Sequence, residues 1–439
     1  MRFFDRDNEI SELRNIREVS RETARFTVLT GRRRVGKTEL VKQAYSNEPY
    51  IYFYVSRKTQ VNLCSEFKEI VEKVLGRTVP GRIERFSEIF RLICEEALAR
   101  PITLVFDEFQ DFVKIDESIF SEIARDWDEY HNHAKLNLVV SGSINRLMNQ
   151  IFEDREAPLY GRNTGRIKLA PFSVPVMKEI LSFYNPSYTN EDLLALWTFT
   201  GGVARYVALL MDAKAVTKSG MIAEIIRPNS SFFDEGKVVL VEEFGKDYAT
   251  YFTILSAISA GKTSRDRIET ACGGEVGGYL TKLERHYGLI AKKQPLFEPN
   301  ERRNCLYRID DCFFRFWFRF IFKYGYLLEV EMFDELRGIV ERDYEVFSGQ
   351  TLEDYFRQKS IGERLYSHLG GWWDCRGEDE IDCVGENEFK DTLEFVEIKR
   401  DADRIRLDAL RTKAEAFFEK NPGKRSRAIS YRAFSMKDM

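Results

Sequence analysis

Residues 1–171 alternate between short apolar runs and segments of helical period. The apolar runs are rich in β-branched and aromatic side chains and cover residues 25–30, 50–55, 102–106 and 136–140. Between them, segments 60–75 and 85–98 place their apolar residues along one helical face. Strands that alternate with helices predict a parallel sheet covered on both faces, so the expected fold class is α/β.

The pattern changes after residue 171. Residues 172–235 are helical in period almost throughout and predict a helical lid that ends in a polar connector. Residues 236–325 hold three helical faces and then two short apolar runs around a polar loop with Arg302 and Arg303, an order that resembles a winged helix. Residues 326–439 return to strands and predict a small α/β domain.

A glycine-rich turn follows the first predicted strand. Residues 31–38 read GRRRVGKT and fit the phosphate-binding pattern G-x-x-x-x-G-K-[ST], with a helix predicted to follow. Gly31 and Gly36 would let backbone N–H groups point at phosphate oxygens, and the helix start adds partial positive charge. Lys37 would reach the β- and γ-phosphates, and the Thr38 hydroxyl would ligate Mg²⁺. The flanking strand and helix favour this interpretation over a chance match.

Two acidic residues end the third apolar run. Asp107 would hold Mg²⁺ through the water shell of the metal, and Glu108 stands where a carboxylate activates the attacking water. The fourth run ends in Ser141-Gly142-Ser143. A polar residue there would lie between the two strands of the phosphate site, so Ser141 or Ser143 is either a γ-phosphate sensor or a helix cap.

Five blocks in this order resemble the archaeal-type ATPase family of the STAND/AAA-related P-loop proteins: residues 31–40, 105–110, 141–143, 158–162 and 201–206. Ala204 departs from the proline that the family usually has. The resemblance implies Arg162 as an arginine finger and Arg205 as a γ-phosphate sensor in the lid, with a surface salt bridge as the alternative for each. The expected nucleotide contacts are Gly31, Arg34, Val35, Gly36, Lys37, Thr38, Glu39, Asp107 and Ser141.

The middle module gives a weaker signal for nucleic acid. Its third predicted helix exposes acidic as well as basic residues, so an interdomain or protein contact is favoured over DNA reading. The aromatic segment 313–320 carries Arg315 and Arg319 one helical turn apart. Base stacking is one interpretation, and a buried helix that ties two domains together is the favoured one.

A second group of acids lies in the last part of the chain. Glu380 and Asp382 share one face of a predicted strand, and Glu397 and Lys399 share one face of the next. In a hairpin, Asp382, Glu397 and Lys399 would converge. Two carboxylates there would bind Mg²⁺ beside the lysine, as a phosphodiesterase requires.

This arrangement resembles the PD-(D/E)xK nuclease core, which the archaeal-type ATPase family often carries as a C-terminal domain of the DUF234 type. The resemblance implies Glu353 as a companion acid on the preceding helix and Trp372-Trp373 at the opening of the first strand; Ile381 stands where the family has proline. The alternative is an exposed strand face with an ordinary ion pair. The expected domains are a P-loop ATPase core (1–171), a helical lid (172–235), a winged-helix-like module (236–325) and a nuclease-like domain (326–439).

The composition indicates a globular protein of the cytoplasm. The net charge of -4 argues against a uniformly basic nucleic-acid coat but permits a local basic groove. The 7 cysteines are scattered without a C-x-x-C pair, which predicts reduced thiols and no structural zinc. No signal peptide is visible, and no apolar run reaches the ~20 residues that cross a membrane. The basic residues after Glu419 are either a phosphate-backbone contact or a solvated tail.

Two functions are compatible with these features. The first is an ATPase that binds ATP and Mg²⁺ and couples its nucleotide state to a nuclease-like domain acting on nucleic acid. The second is a STAND-type signalling ATPase whose C-terminal domain binds a protein or DNA partner without cutting. The oligomeric state is left open. The expected catalytic residues are Glu108, Arg162, Arg205, Glu353, Asp382, Glu397 and Lys399, and the expected metal ligands are Thr38, Asp107, Asp382 and Glu397.

Overall fold

The computed structural model describes residues 1–143, 145–298, 304–374 and 378–439. The cysteines within these ranges are all free thiols. Arg302 and Arg303 of the predicted polar loop and Cys375 lie outside the described residues. Within the described ranges, no helix has both the length and the apolar character that a membrane crossing needs.

The chain divides into two compact units. One unit is Phe4–Pro171, and the other joins Met1–Phe3 to Phe172–Met439. The finer division into four domains remains a prediction.

The unit Phe4–Pro171 is built on a parallel sheet. Its strands are β1 (Arg25–Thr30), β2 (Ile51–Tyr54), β3 (Ile102–Asp107), β4 (Leu136–Gly142) and β5 (Gly165–Lys168). Its helices are α1 (Asp7–Val19), α2 (Lys37–Ala44), α3 (Gln60–Leu75), α4 (Phe86–Ala99), α5 (Ser118–Tyr130) and α6 (Asn145–Phe152). The strand order is β2-β3-β4-β1-β5 with every pairing parallel, so β4 lies between β1 and β3 as predicted.

Alternate side chains of the central strands supply two hydrophobic cores, one on each face of the sheet. Leu104 and Phe106 of β3 enter the core under α3, α4 and α5, whereas Val105 enters the core under α1 and α2. Aromatic rings fill the larger core; Phe53 and Phe67, for example, stack with centroids 3.9 Å apart. Since both faces are covered, the strands are apolar along their whole length, which is why the sequence shows them as continuous runs.

The second unit begins with helices and a small ribbon. The helices within the predicted lid are α7 (Val174–Tyr184), α8 (Asn190–Thr200), α9 (Ala204–Asp212) and α10 (Lys218–Ile225). The middle elements are α11 (Ser231–Phe244), α12 (Tyr248–Ser259), α13 (Arg265–Cys272), α14 (Gly277–Arg285), β6 (Ile290–Lys293), β7 (Leu306–Ile309), α15 (Cys312–Phe316) and α16 (Gly325–Glu329). The end of the predicted polar connector is in fact helical, because Ser230 caps α11 with its side chain.

The aromatic segment is buried, as expected. It lies in α15 and in a π-helical turn at Trp317–Phe322, and the aromatic rings of residues 313–320 are buried in the interior of the unit. The indole N–H of Trp317 donates to the carbonyl oxygen of Phe233 at 3.0 Å. A buried segment of this kind has no free ring face for a nucleic-acid base, so base stacking is excluded here.

The last part of the second unit is a four-stranded sheet. Its elements are α17 (Phe333–Gly362), β8 (His368–Trp373), β9 (Glu380–Asn387), β10 (Thr392–Ile398), α18 (Leu407–Lys420) and β11 (Ala428–Phe434). The order is β11-β10-β9-β8, with β8, β9 and β10 antiparallel and β11 parallel to β10. Helix α18 crosses between the parallel pair and packs on the sheet through Leu410, Ala414, Phe417 and Phe418.

One detail of this sheet corrects the sequence analysis. Trp372 and Trp373 close β8, whereas they were expected to open it. The strand begins earlier because His368 already pairs with Glu386, and Leu296 packs 3.3 Å from the position that a Cβ on Gly370 would take. Glycines hide a strand from its sequence pattern, because they carry no side chain to pack.

Candidate functional site

The phosphate loop connects β1 to α2 and has the backbone geometry that its glycines permit. Gly36 precedes α2 with φ at 102°, in the region that favours glycine. A Cβ on Gly31 would lie 2.6 Å from the carbonyl oxygen of Leu169, so that position has no space for a side chain. Val35 is buried in the core, and Arg34 adopts a positive φ of 70°. Glu39 points outward and pairs with Lys42 at 2.8 Å.

Lys37 is buried beneath this loop. Its ammonium donates to the carbonyl oxygens of Gly31 at 3.0 Å and Arg32 at 3.3 Å. A buried ammonium needs such acceptors, and phosphate oxygens are stronger ones than neutral carbonyls. The lysine is thus held at the loop by backbone carbonyl oxygens.

A hydroxyl and a carboxylate meet beside the loop. Thr38 Oγ1 donates to Asp107 Oδ2 at 2.7 Å, and the hydroxyl of Tyr52 donates to the same oxygen at 2.6 Å. Burial raises the pKa of Tyr52, and the bond to Asp107 raises it further, so the phenol keeps its proton and remains a donor. These oxygen donors suit Mg²⁺, which takes one or two carboxylates and keeps several waters.

Glu108 follows the end of β3 and contacts the end of β4. Its Oε2 accepts a hydrogen bond from Ser143 Oγ at 2.8 Å and another from Gln110 Nε2. Ser141 is buried, and its hydroxyl has no hydrogen-bond partner among the described residues. Of the two sensor candidates, Ser143 is therefore the one that the structure joins to Glu108.

The two candidate arginines lie in different units. Arg162 makes a bidentate pair with Asp128, at 2.9 Å from Nε and 2.6 Å from Nη2. That hydrogen-bonded pair raises the pKa of the guanidinium, which already stays charged. Arg205 stands exposed in the first turn of α9. Arg162 is thus paired with Asp128 and Arg205 is exposed, and the finger and sensor roles stay predictions.

At the end of the β9-β10 hairpin, the structure brings Asp382, Glu397 and Lys399 together. Lys399 Nζ lies 3.1 Å from Asp382 Oδ2 and 3.8 Å from Glu397 Oε1. Burial lowers the pKa of Lys399, but the two carboxylates outweigh it and hold the pKa above the ordinary value. The ladder between β9 and β10 ends at the pair of Cys383 and Val396, so the N–H of Ile398 is left for Asp382 Oδ2 at 2.7 Å.

Glu353 reaches this region from α17 but pairs with an arginine. Its Oε2 lies 3.4 Å from Nη2 of Arg357, one helical turn away, and the same Nη2 donates to the carbonyl oxygen of Asp382. Burial raises the pKa of Glu353 to about 8, in spite of Arg357. Among the described residues, the carboxylates of Glu353, Asp382 and Glu397 do not all lie within 4.8 Å of one another. Glu353 is thus near the pair of acids without joining them.

The predicted basic tail is largely engaged inside the domain. Lys424 and Arg427 approach the fully buried Glu386 at 2.7 Å and 2.6 Å, and Arg432 approaches Glu394 at 3.3 Å. The tail folds back because β11 pairs with β10, and Arg432 lies on β11 whereas Lys424 and Arg427 lie just before it. Neither a free solvated tail nor an open phosphate-binding stretch describes these three residues.

Three residues of these sites had no assigned role in the sequence analysis. Gln110 stands two positions after Glu108, Tyr52 lies on β2, and Arg357 lies one turn after Glu353. Gln110 had a signal, because it belongs to the block of residues 105–110 that carries the family resemblance. Arg357 also had one, because residues four apart on a helix are neighbours and it follows Glu353 by four. The contacts of Tyr52 with Asp107 and of Arg357 with Asp382 join separate elements, so sequence spacing does not reveal them.

Comparison with known proteins identifies both regions. Residues 3–210 match the family described as an ATPase domain predominantly from Archaea. Residues 317–409 match DUF234, described as archaea bacterial proteins of unknown function. The chain therefore carries an archaeal-type P-loop ATPase domain and a C-terminal DUF234 domain, and the predicted enzyme class, an ATPase, is confirmed.

The most informative relatives are also archaeal. An uncharacterized protein of Methanocaldococcus jannaschii is 27% identical over 425 residues, covering 93% of this chain and 91% of the relative. The Walker-type ATPase of Pyrococcus abyssi has a TM-score of 0.53 at 21% identity and covers 72% of this chain and 96% of its own. The ORC2 protein of Aeropyrum pernix, solved in ADPNP–ADP complexes, has a TM-score of 0.52 at 13% identity, with coverage of 77% and 95%. At these identities the two structures show a shared fold.

Proposed function

We propose that the protein binds ATP with Mg²⁺ at the phosphate loop and hydrolyses it with Glu108 as general base. The observation that carries this proposal is the contact of 2.7 Å between Thr38 Oγ1 and Asp107 Oδ2. It sets a hydroxyl and a carboxylate side by side at the carboxyl ends of neighbouring strands, where Mg²⁺ finds oxygen ligands and phosphates meet a helix start.

Each residue has a role in this proposal. Lys37 exchanges its carbonyl contacts for the β- and γ-phosphates, and bound Mg²⁺ supplies charge neutralisation of those phosphates. Glu108 takes the proton of the attacking water. Arg162 serves as a finger only after it leaves Asp128, and Arg205 serves as a sensor from the lid.

The test compares three variants in a fluorescent-ATP titration and a turnover assay. Lys37→Ala is expected to abolish nucleotide binding, whereas Lys42→Ala, on the same helix but paired with Glu39 at the surface, is expected to bind normally. Glu108→Gln is expected to bind ATP and lose turnover by about 10²-fold or more, since an amide cannot accept the proton. Undiminished affinity in Lys37→Ala would refute the binding site, and undiminished turnover in Glu108→Gln would refute the base.

A second activity is suggested by the DUF234 domain. Lys399 lies within 3.8 Å of both Asp382 and Glu397, which is the arrangement of a lysine and two metal-binding acids at a phosphodiester. We therefore propose a nuclease-like domain whose action on nucleic acid depends on the nucleotide state. The ribbon β6-β7 with α12, α13 and α14 is proposed as a winged helix that contacts protein.

The competing proposal is a STAND-type signalling ATPase with a non-cleaving C-terminal domain. It is supported by the charge balance of the site, because Lys399 already pairs with both Asp382 and Glu397, and Arg357 pairs with Glu353. A cleavage assay on DNA and RNA with Mg²⁺ or Mn²⁺, with and without ATP, separates the two. Cleavage that Lys399→Ala abolishes and Lys390→Ala preserves supports the nuclease, since Lys390 lies exposed at the far end of the hairpin. No cleavage in any state supports the binding module.

A further inference from the structure

Glu108 has an unusual backbone conformation for its residue type. It lies directly after β3 with φ at 56°, in the left-handed region, and begins a 3₁₀ turn at Phe109–Lys114. A residue with a Cβ occupies this region at a cost, and such strain persists only where the surroundings hold it. The conformation turns the carboxylate toward the end of β4.

Two donors hold one oxygen of this carboxylate. Ser143 Oγ and Gln110 Nε2 both donate to Oε2, and no hydrogen bond among the described residues reaches Oε1. A proton acceptor needs a free lone pair on one oxygen and a fixed orientation of the group. This geometry provides both, because it uses Oε2 for orientation and leaves Oε1 for the water.

Close packing around Gln110 holds its side chain in one position. Its side chain is 1% exposed, and a Cβ on Gly142 would lie 2.7 Å from its Oε1. That Oε1 is buried without a hydrogen-bond partner among the described residues. A buried carbonyl oxygen without a hydrogen bond is costly and rare, so its presence calls for a functional reason. The reason that the structure offers is the hydrogen bond that the amide N–H of Gln110 donates to Glu108.

Ser143 also uses its hydrogen-bond donor on Glu108. A serine hydroxyl has a single proton, and here it is given to Glu108. Phosphate oxygens only accept, so in this arrangement Ser143 cannot at the same time donate to a γ-phosphate. It contacts the proposed base, whereas its sequence position left it as either a γ-phosphate sensor or a helix cap.

We infer that Gln110 and Ser143 are the positioning residues of ATP hydrolysis, acting through Glu108; the inference rests on the proposed role of Glu108 as base. In the step, the water oxygen bonds to the γ-phosphorus while a water proton passes to Glu108 Oε1. The bond from the γ-phosphorus to the bridging oxygen breaks, and its electron pair leaves with ADP. The two donors hold Oε2 throughout.

The experiment is a set of double-mutant cycles on kcat, KM and ATP binding. Gln110→Leu and Ser143→Ala are each expected to lower kcat about 10-fold or more while KM and affinity change less than about twofold. In the Glu108→Gln background neither is expected to have any further effect, because residues that act as one unit are not additive. Ser143→Thr, which keeps the hydroxyl, is expected to retain most of the rate.

The control is Gln60→Leu, which removes a similar bond from Gln60 to Asp116, 3.0 Å long, in the same unit; its kcat is expected to match the wild type. Full activity of Gln110→Leu and Ser143→Ala beside an inactive Glu108→Gln would overturn the positioning role alone. Lost ATP binding in both variants, or additive losses in the Glu108→Gln background, would overturn it in favour of a structural role. Full activity of Glu108→Gln would instead show that Glu108 is not the general base, which contradicts the proposed function.

Discussion

At the scale of single residues, Asp354 is where three guanidinium groups meet in the second unit. Its carboxylate lies 2.9 Å from Arg308, 3.4 Å from Arg315 and 3.9 Å from Arg357. The arginines come from β7, α15 and α17, so one acid joins the middle module to the DUF234 domain. Burial raises the pKa of Asp354, but the three arginines outweigh it and hold the pKa below 3.8.

We predict that Asp354→Asn destabilises this unit. Removing one charge from a buried cluster leaves the others uncompensated, and the expected loss is about 3 kcal/mol in the free energy of unfolding at neutral pH. Because folding lowers this pKa, the stabilisation is present at pH above 3.8 and is lost as the pH falls below it.

Denaturant unfolding at several pH values checks this prediction. The difference between wild type and Asp354→Asn should be constant above about pH 5 and shrink below about pH 4. Asp334→Asn is the control, because that acid is 89% exposed on the same helix. A difference that grows as the pH falls would contradict the assignment.

The residues that the sequence identified are those whose chemistry is tied to local spacing. Gly31, Lys37 and Thr38 follow one another in a loop, and Asp107 and Glu108 end one strand, so a linear pattern contains them. Gln110 meets Glu108 only because Glu108 turns into a left-handed conformation. Arg357 meets Asp382 only because α17 packs beside β9. Contacts such as these two depend on backbone conformation and packing, which cannot be derived from the spacing of residues along the sequence.

At the scale of elements, the predicted segments with a clear period appear in the structure. Helix α3 has the bounds that the helical period predicted, 60–75. Strand β5 was missed because it is an edge strand of only Gly165–Lys168 with charged residues, and β8 was mistaken because of its glycines. The periodicity of apolar residues indicates which side chains are buried, so it does not detect elements that bury few apolar side chains.

Helix α17 permits a test of helix energetics without a change in packing. It runs for 30 residues, and Gly338 lies exposed within it; apart from its chain neighbours and the backbone of its own helix, no atom of the described residues lies within 4 Å of the position that a Cβ would take. We predict that Gly338→Ala stabilises the second unit by about 1 kcal/mol, since glycine loses more backbone entropy than alanine in a helix.

The matched comparison is Gly202→Ala in the same unit. Gly202 has φ at 72°, and a Cβ there would lie 2.4 Å from the carbonyl oxygen of Phe172. This substitution is expected to destabilise by about 1–3 kcal/mol. Thermal melting of both variants gives the two signs. A stabilising Gly202→Ala would show that this backbone relaxes.

At the scale of the whole molecule, the lid and the DUF234 domain are joined by polar contacts within one unit. Arg400 follows Lys399 directly and binds Ser348 Oγ of α17 at 2.7 Å and the carboxylate of Glu191 at the start of α8. Asn190, next to Glu191, donates to the carbonyl oxygen of Met436 at 2.7 Å. A helix of the proposed nucleotide-sensing lid is thus bound to the residue beside the candidate lysine.

The last prediction follows from these contacts and from the proposed coupling. ATP with Mg²⁺ should slow hydrogen exchange in β1 and β3 by up to about 100-fold at saturating ligand. It should also change exchange in α8 and around Lys399, because the proposed coupling passes through the lid. Arg400→Met removes the bonds to Glu191 and Ser348 while preserving side-chain bulk, so it should keep the first effect and lose the second around Lys399.

Arg404→Met is the control, since Arg404 is 79% exposed. Lys37→Ala should lose both effects, and an unchanged response around Lys399 in Arg400→Met would show that the coupling does not pass through Arg400.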